Sequence, residues 1–216
     1  MNRFKAIFFD NDGLLVSTEA LYFEVTHQVL SSVGINMSRE WYVGENLGKG
    51  RSSLELAKEK GFSEDEIAIL RRKRNDRYGE MLRERVKIMD GVPEVLETLY
   101  GKVLMGVVTS ARKQHLNIIM EKTGLRRFFD FFIAGDDVKN IKPDPEPYLK
   151  ALEKSQCFKE DCLVLEDSYR GVQSAKAAGL TCFAIPDVLT RTHDFSIADK
   201  VLESIRELPA LLAVEV

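Results

Sequence analysis

Cysteine is scarce in this sequence: Cys157, Cys162 and Cys182 are the only three in 216 residues. The number is odd and no pair has CxxC spacing. A disulfide framework and a zinc site are therefore not expected, and a reducing cytoplasm is the simplest location. Histidine is equally thin, and His27, His115 and His193 stand too far apart to form a ligand motif. No apolar run is long enough to cross a bilayer. The short one after Arg3 and Lys5 is cut off by Asp10 and Asp12, too early for a signal peptide. Neither sign of charge dominates, since 31 Lys and Arg against 34 Asp and Glu give a formal net charge of -3. Neither nucleic acid nor an anionic membrane is an expected partner. There is no internal repeat and no low-complexity segment. What is present is a globular composition, 44% hydrophobic and 30% charged, in a chain long enough for an α/β domain with an insertion. A monomer is the default expectation.

Short apolar runs mark the strands. Ala6 to Phe9 is followed by Asp10 to Gly13, Val103 to Val108 by Thr109-Ser110, and Leu163 to Leu165 by Glu166-Asp167. Leu180 to Ile185 ends at Pro186, and Phe131 to Ala134 is a weaker run before Gly135-Asp136-Asp137. Helix-like stretches alternate with them: Pro93 to Leu99, Lys113 to Lys122, Pro147 to Glu153 and Arg170 to Ala178. This alternation predicts βαβ units and a doubly wound, Rossmann-like parallel sheet. Between about Ser17 and Lys87 the rhythm breaks. Leu21, Val25, Val29 and Val33 recur at helical spacing before Gly34. Ser63-Glu64-Asp65-Glu66 is a capping box, opening a helix that carries Ile67, Leu70, Tyr78 and Leu82. The expected organisation is a core of residues 1–15 and 88–216 with a helical insertion over 16–87, joined by linkers near Leu14 to Val16 and Val86 to Asp90.

Polar residues collect where the strands end, which is where open α/β sheets bind ligands. Asp10 and Asp12 are two apart, so extended backbone places both carboxylates on one side, about 6.6 Å apart at ~3.3 Å per residue. Unneutralised, they repel by roughly 2.5 kcal/mol at an effective dielectric near 20. A cation, a proton, or both must answer that repulsion. Gly13 permits the sharp turn away. Glu166 and Asp167 add two more acids, and hard oxygen donors without His or Cys favour Mg²⁺. Lys142, in Ile141-Lys142-Pro143, can supply positive charge. Thr109-Ser110 precedes a helix, whose N–H groups and hydroxyls suit an anion. Acids, a metal, a lysine and a helix N-terminus around one point describe phosphoryl transfer.

With these motifs the chain resembles the haloacid dehalogenase (HAD) superfamily of phosphohydrolases. The group it matches has a small helical cap and includes β-phosphoglucomutase-like and phosphoglycolate-phosphatase-like enzymes. The matching pieces are FFDNDGLLVSTE from Phe8, VVTSA from Val107, IKPDPEPYLKA from Ile141 and LEDSYRGVQSAKAAG from Leu165. The resemblance implies an HAD-type core with an α-helical cap and a Mg²⁺-dependent phosphomonoesterase working through an aspartyl-phosphate. Its substrate would be a small phosphorylated metabolite, a sugar phosphate or nucleotide monophosphate. By the same resemblance Asp10 is the nucleophile and Asp12 the general acid and base. Thr109, Ser110 and Lys142 hold the phosphate. Asp10, Asp167, the Asp12 backbone carbonyl and Glu166, directly or through water, hold the metal. The family often has Asp where Ser17 stands, and Ser17 is expected to cap the following helix instead. Asn11 occupies a variable position, its amide expected to point away from the metal. The alternatives are a β-phosphoglucomutase-like mutase, disfavoured by the absence of His from Glu19 to Phe23, and a non-catalytic phosphate-binding protein. The dehalogenase branch lacks an acid at the position of Asp12.

Weaker features have plain readings. Lys49 and Arg51, in the turn Gly48-Lys49-Gly50-Arg51, are candidates for selecting substrate from the cap, with an exposed turn as the plain alternative. Arg71-Arg72-Lys73-Arg74 reads as a solvated helix face, with a substrate or partner site as the minority reading. Trp41 reads as packing, Asp136-Asp137 as a turn, and the cysteines as structural. His27 and His115 read as helix-surface residues, His193 as a loop residue.

Overall fold

The computed structural model describes residues 4–212; Arg3 and the two ends of the expected 1–15 and 88–216 core lie outside the described residues. Six strands form one parallel sheet in the order β3-β2-β1-β4-β5-β6. They are β1 (Ala6–Phe9), β2 (Leu104–Val108), β3 (Phe131–Ile133), β4 (Cys162–Glu166), β5 (Thr181–Ala184) and β6 (Lys200–Val201). The fold is α/β and Rossmann-like, as the alternation predicts. β1 is central and buried on both sides, so it is apolar throughout rather than alternating. Its side chains still divide by the two-residue period. Ile7 and Phe9 join Met105, Val107, Leu163 and Leu165 on one face, while Ala6 and Phe8 join Val108, Cys162 and Val164 on the other.

Helices cover both faces. The first face packs against α5 (Val92–Leu99), α6 (Lys113–Thr123) and α9 (Leu208–Leu212). The second packs against α7 (Glu146–Ser155) and α8 (Tyr169–Ala177). β6 escapes sequence reading because it is two residues long and exposed, with no apolar run to betray it.

Between β1 and β2 lie α1 (Glu19–Ser31), α2 (Arg39–Trp41), a wide π-helical turn over Tyr42–Gly48, α3 (Glu55–Glu59) and α4 (Glu64–Arg85). They share a second apolar cluster, including Leu30, Met37, Tyr42, Leu54, Ile67 and Leu70, which Leu189 joins from the loop after β5. The capping box at Ser63 is fully formed, Ser63 Oγ accepting from Glu66 N–H and the Glu66 carboxylate from Ser63 N–H. The two connections to the sheet pair with each other. Ser17 N–H donates to the Lys87 carbonyl at 2.9 Å and Met89 N–H to that of Leu15 at 3.0 Å.

Three residues differ from expectation. Thr18, not Ser17, is the N-cap of α1, and Ser17 is exposed. His115 is buried on the inner face of α6, where its Nε2 meets the Asn75 carbonyl at 3.0 Å. Arg74 leaves the solvated face that Arg71, Arg72 and Lys73 form and is only 9% exposed. It lies four residues from both Leu70 and Tyr78, so the helical period turns it inward with them. Among the described residues no helix is long and apolar enough to cross a membrane.

Candidate active site

The parallel strands end their carboxyl edges together, so the residues just past β1, β2 and β4 meet although they are far apart in sequence. Asp10 N–H continues the ladder to the Leu165 carbonyl at 2.9 Å, which fixes the Asp10 backbone before the chain turns. The turn needs Gly13. Its φ is +79°, and a Cβ there would lie 2.2 Å from Oδ2 of Asp167.

Lys142 is 3% exposed and comes from the loop before α7, at a cis peptide bond to Pro143. All three ammonium hydrogens are used. Nζ donates to Asp10 Oδ1 at 2.5 Å, Glu166 Oε1 at 2.6 Å and the Val108 carbonyl at 2.7 Å. Glu166 is held from other sides as well. Tyr148 Oη donates to its Oε1 at 2.6 Å and Ser168 Oγ to its Oε2 at 3.3 Å. Asp167 Oδ2 is buried with no partner among the described residues.

Asp10, Glu166 and Asp167 each offer a carboxylate oxygen within 4.8 Å of the others. Three buried carboxylates face one ammonium, so the cluster is short of positive charge. Burial pushes the Asp10 carboxyl up to about 8, Lys142 opposing and the Glu166 and Asp12 charges adding to the rise. Burial and the charges of Asp10 and Glu166 push Asp167 up as well. Burial works against the Lys142 charge, but Asp10 and Glu166 outweigh it and raise the lysine above its ordinary value. An all-oxygen set, one oxygen of it orphaned, fits a hard divalent cation. Asp10 and Asp167 fit it best, because both oxygens of Glu166 already have donors.

Asp12 is set apart from that cluster. Thr18 Oγ1 donates to its Oδ1 at 2.6 Å and Thr109 Oγ1 to its Oδ2 at 3.0 Å. Thr109 Oγ1 also accepts from Ala111 N–H at 3.0 Å, while Ser110 Oγ is buried without a partner among the described residues. Asn11 is fully buried, and neither polar atom of its amide has a partner among the described residues.

A cavity of about 270 Å³ opens over these groups. Asp10, Asp12, Thr109, Ser110, Lys142 and Asp167 line its floor; Glu166 stands behind Lys142. The inserted helices supply the opposite wall, with Glu19, Tyr22, Tyr42, Asn46, Arg74 and Tyr78. Tyr42 Oη donates to Glu19 Oε2 at 2.6 Å. Burial raises the Glu19 carboxyl to about 7; the Asp12 charge adds to the rise, and Arg170 and the Tyr42 bond oppose it.

Lys49 and Arg51 do not line this cavity, although Gly50 and Ser52 beside them do. Lys49 is drawn off to Glu45 at 2.6 Å. Arg51 pairs with Glu55 at 2.8 Å and with Glu59, and lies 5.5 Å over the Trp41 ring. Acids four residues away hold both cations on the helix surface. Sequence reading missed Glu19, Tyr42, Asn46, Arg170 and His115 as cavity residues. Only for Arg74 does a signal exist, its spacing from Leu70 and Tyr78.

A parallel Rossmann-like sheet with helices inserted after its first strand and an acid–lysine cluster at its carboxyl edge defines a hydrolase of HAD type. The sequence profile of the haloacid dehalogenase-like hydrolases matches residues 7–185, and the chain belongs to that family. It is 32% identical over 177 residues to a phosphorylated carbohydrates phosphatase of Thermotoga maritima, covering 82% of each chain. It is 29% identical over 222 residues to the protein CbbY of Cereibacter sphaeroides, covering 98% of this chain and 96% of that one. The crystal structure of a CbbY variant from Rhodobacter sphaeroides in complex with xylulose-(1,5)bisphosphate superposes with a TM-score of 0.85. That match has 26% identity over 98% of this chain and 100% of the other. The protein is an enzyme, a phosphatase of the HAD-like hydrolases.

Proposed function

We propose that the protein is a Mg²⁺-dependent phosphomonoesterase for a small phosphorylated metabolite, a phosphorylated sugar before other classes, acting through a phosphoaspartate on Asp10. The observation that carries this reading is the convergence of Asp10, Lys142 and the unpartnered Asp167 oxygen at the floor of one cavity. That cavity is at the small end of ligand pockets, which suits a compact substrate. The names of the Thermotoga phosphatase and the CbbY complex favour sugars.

Asp10 attacks phosphorus through a carboxylate oxygen, and the P–O bond to the leaving group breaks. Asp12 gives its proton to the departing oxygen. It then takes a proton from a water, whose oxygen attacks phosphorus and frees Asp10 and inorganic phosphate. The Thr18 and Thr109 hydroxyls orient Asp12 for both transfers. Lys142 neutralises charge on Asp10 and on the phosphoryl group, aided by Thr109 and by the backbone N–H groups past β2. Asp10, Asp167, the Asp12 carbonyl and more remotely Glu166 would hold Mg²⁺, which would add neutralisation of the phosphoryl oxygens when bound. Residues 16–87 act as a cap that excludes water, moving on the paired linkers at Ser17–Lys87 and Leu15–Met89.

The test is phosphate release across a panel of phosphorylated metabolites with Mg²⁺, with excess chelator, and with Asp10→Asn. Release that stops in chelator and in the folded variant supports the reading. Turnover by Asp10→Asn comparable to wild type removes the nucleophile.

A further inference from the structure

Away from the two linkers, the inserted helices also meet the loop that follows β5. That loop is tied to itself by short-range bonds. Asp187 N–H donates to Thr190 Oγ1 at 2.9 Å, and the N–H groups of Thr190 and Arg191 both return to the Asp187 carbonyl at 3.0 Å. His193 N–H closes a further turn on the Thr190 carbonyl at 2.9 Å, and Thr190 is fully buried. Two side chains of this stiff loop reach the cap. Leu189, 8% exposed, sits in the apolar cluster of the inserted helices with Tyr42 and Leu47.

His193 is the second, and it bridges core and cap. Its Nδ1 accepts from Tyr169 N–H, at the start of α8, at 3.3 Å. An amide N–H can only donate, so Nδ1 is bare and the hydrogen of the neutral ring is on Nε2. Nε2 then donates to the Val43 carbonyl, in the turn over Tyr42–Gly48, at 3.2 Å. Burial lowers the pKa of the ring; the Val43 bond opposes that and the Arg170 charge adds to it, which favours this neutral form. Gly48 of the same turn lies against the ring, where a Cβ would be 3.7 Å from Nε2. The turn carries Tyr42 and Asn46 into the cavity wall, and α8 starts just after Asp167 and brings Arg170 to the same cavity. One imidazole thus spans the gap between roof and floor.

We propose that the loop after β5 is a latch for the cap and that His193 is its positioning residue, bonding the cap backbone only when the cap is shut on the sheet. The inference rests on the reading of residues 16–87 as a moving cap. A contact made in the closed arrangement alone stabilises that arrangement and leaves the open one unchanged. The paired linkers allow the motion, and the latch sets how much of the time the cavity is closed. Neither the Leu189 nor the His193 contact requires a group of the substrate.

The two halves of the imidazole can be removed separately. Asn keeps an acceptor at the place of Nδ1 and loses the donor to Val43; Gln keeps a donor at the place of Nε2 and loses the acceptor for Tyr169. With glucose 6-phosphate and fructose 1-phosphate as probes, His193→Asn should raise KM about 3- to 10-fold, the range of a neutral hydrogen bond, with kcat within about twofold. His193→Gln should stay within about twofold of wild type in both constants. Hydrogen exchange without substrate gives a second readout. Amides of residues 42–48 should exchange faster in His193→Asn than in wild type or His193→Gln, and amides of α9, in the core, should not. His193→Asn behaving as wild type in both measurements would overturn the latch. So would the reverse order, Gln impaired and Asn intact, which is the pattern of a residue that serves α8 alone. Equal impairment of both variants, with faster exchange in α9, would reduce His193 to general stability and overturn it too. Exchange as expected in a protein that hydrolyses no phosphorylated metabolite keeps the latch and sinks the phosphatase reading. Hydrolysis with unchanged exchange in His193→Asn does the opposite.

Discussion

A Cβ atom on Gly171 would lie 1.9 Å from Oε2 of Glu166. The first turn of α8 is therefore pressed against the carboxylate that, with Asp10, holds Lys142. Backbone, acid and ammonium form one stack, and a single methyl group at its base would disturb all three.

Gly171→Ala should accordingly cost more activity than its size suggests. Overpacking of this kind costs about 1–3 kcal/mol of stability. A displacement of the lysine by about 1 Å is enough for a loss on the order of 100-fold in kcat/KM. Steady-state kinetics beside a thermal melt checks this. An alanine variant with wild-type kinetics would show that Glu166 does not position Lys142.

Asp167→Asn should act in opposite directions with and without metal. In the metal-free protein it removes a charge that burial and the neighbouring acids oppose. Tm should therefore rise, at about 2–4 °C for each ~1 kcal/mol relieved in a domain of this size. Wild type should gain stability on adding Mg²⁺, because the ion binds only the folded chain, and the variant should gain little. Melting curves at several Mg²⁺ concentrations read both effects. Equal stabilisation of the two proteins would take Asp167 out of the metal site.

Glu19 gives a pH signature. Its folded carboxyl titrates near 7 instead of the ordinary 4.5, chiefly through burial. An acid raised in the folded state binds more protons there than in the unfolded chain. Stability is then greatest below the unfolded value and declines as pH rises toward the folded one. Glu19→Gln should flatten the part of the Tm profile that falls between pH 4.5 and about 7. An unchanged slope in the variant would place the Glu19 titration elsewhere.

The turn at Gly48 to Arg51 should respond at the glycine, not at the cations. Lys49→Ala removes a surface pair, and kcat/KM should stay within about twofold. Gly50 has φ +73° and packs toward Pro143 and the Lys142 carbonyl, where a Cβ would come within 3.4 and 3.5 Å. Gly50→Ala should cost about 1–2 kcal/mol from the left-handed backbone alone. It should also raise KM, because the cap turn no longer seats against the lysine loop. A large kinetic loss in Lys49→Ala would restore that residue to the substrate site.

Local pattern carried five of the six strands, the longer helices and the floor of the cavity. Each of the four acids, Lys142 and Thr109 sits where an apolar run stops or a loop precedes a helix, and chain order alone brings such ends to one edge of a parallel sheet. The capping box at Ser63 and the spacing of Leu21 and Val25 are likewise short-range signals, read within one or two turns. The roof was not legible in that way. Whether Lys49 or Gly50 faces the cavity depends on which acids lie four residues away and on how the π-helical turn over Tyr42–Gly48 is wound. Glu19 and Tyr42 are 23 residues apart, and His115 meets Asn75 across 40. Only packing of the inserted helices on one another and against α6 joins such pairs. The sequence by itself thus determined which chemistry the strand ends can carry, because periodicity and strand termination are local. Tertiary structure alone decided which cap residues close over that chemistry, because inter-element contacts have no period to read.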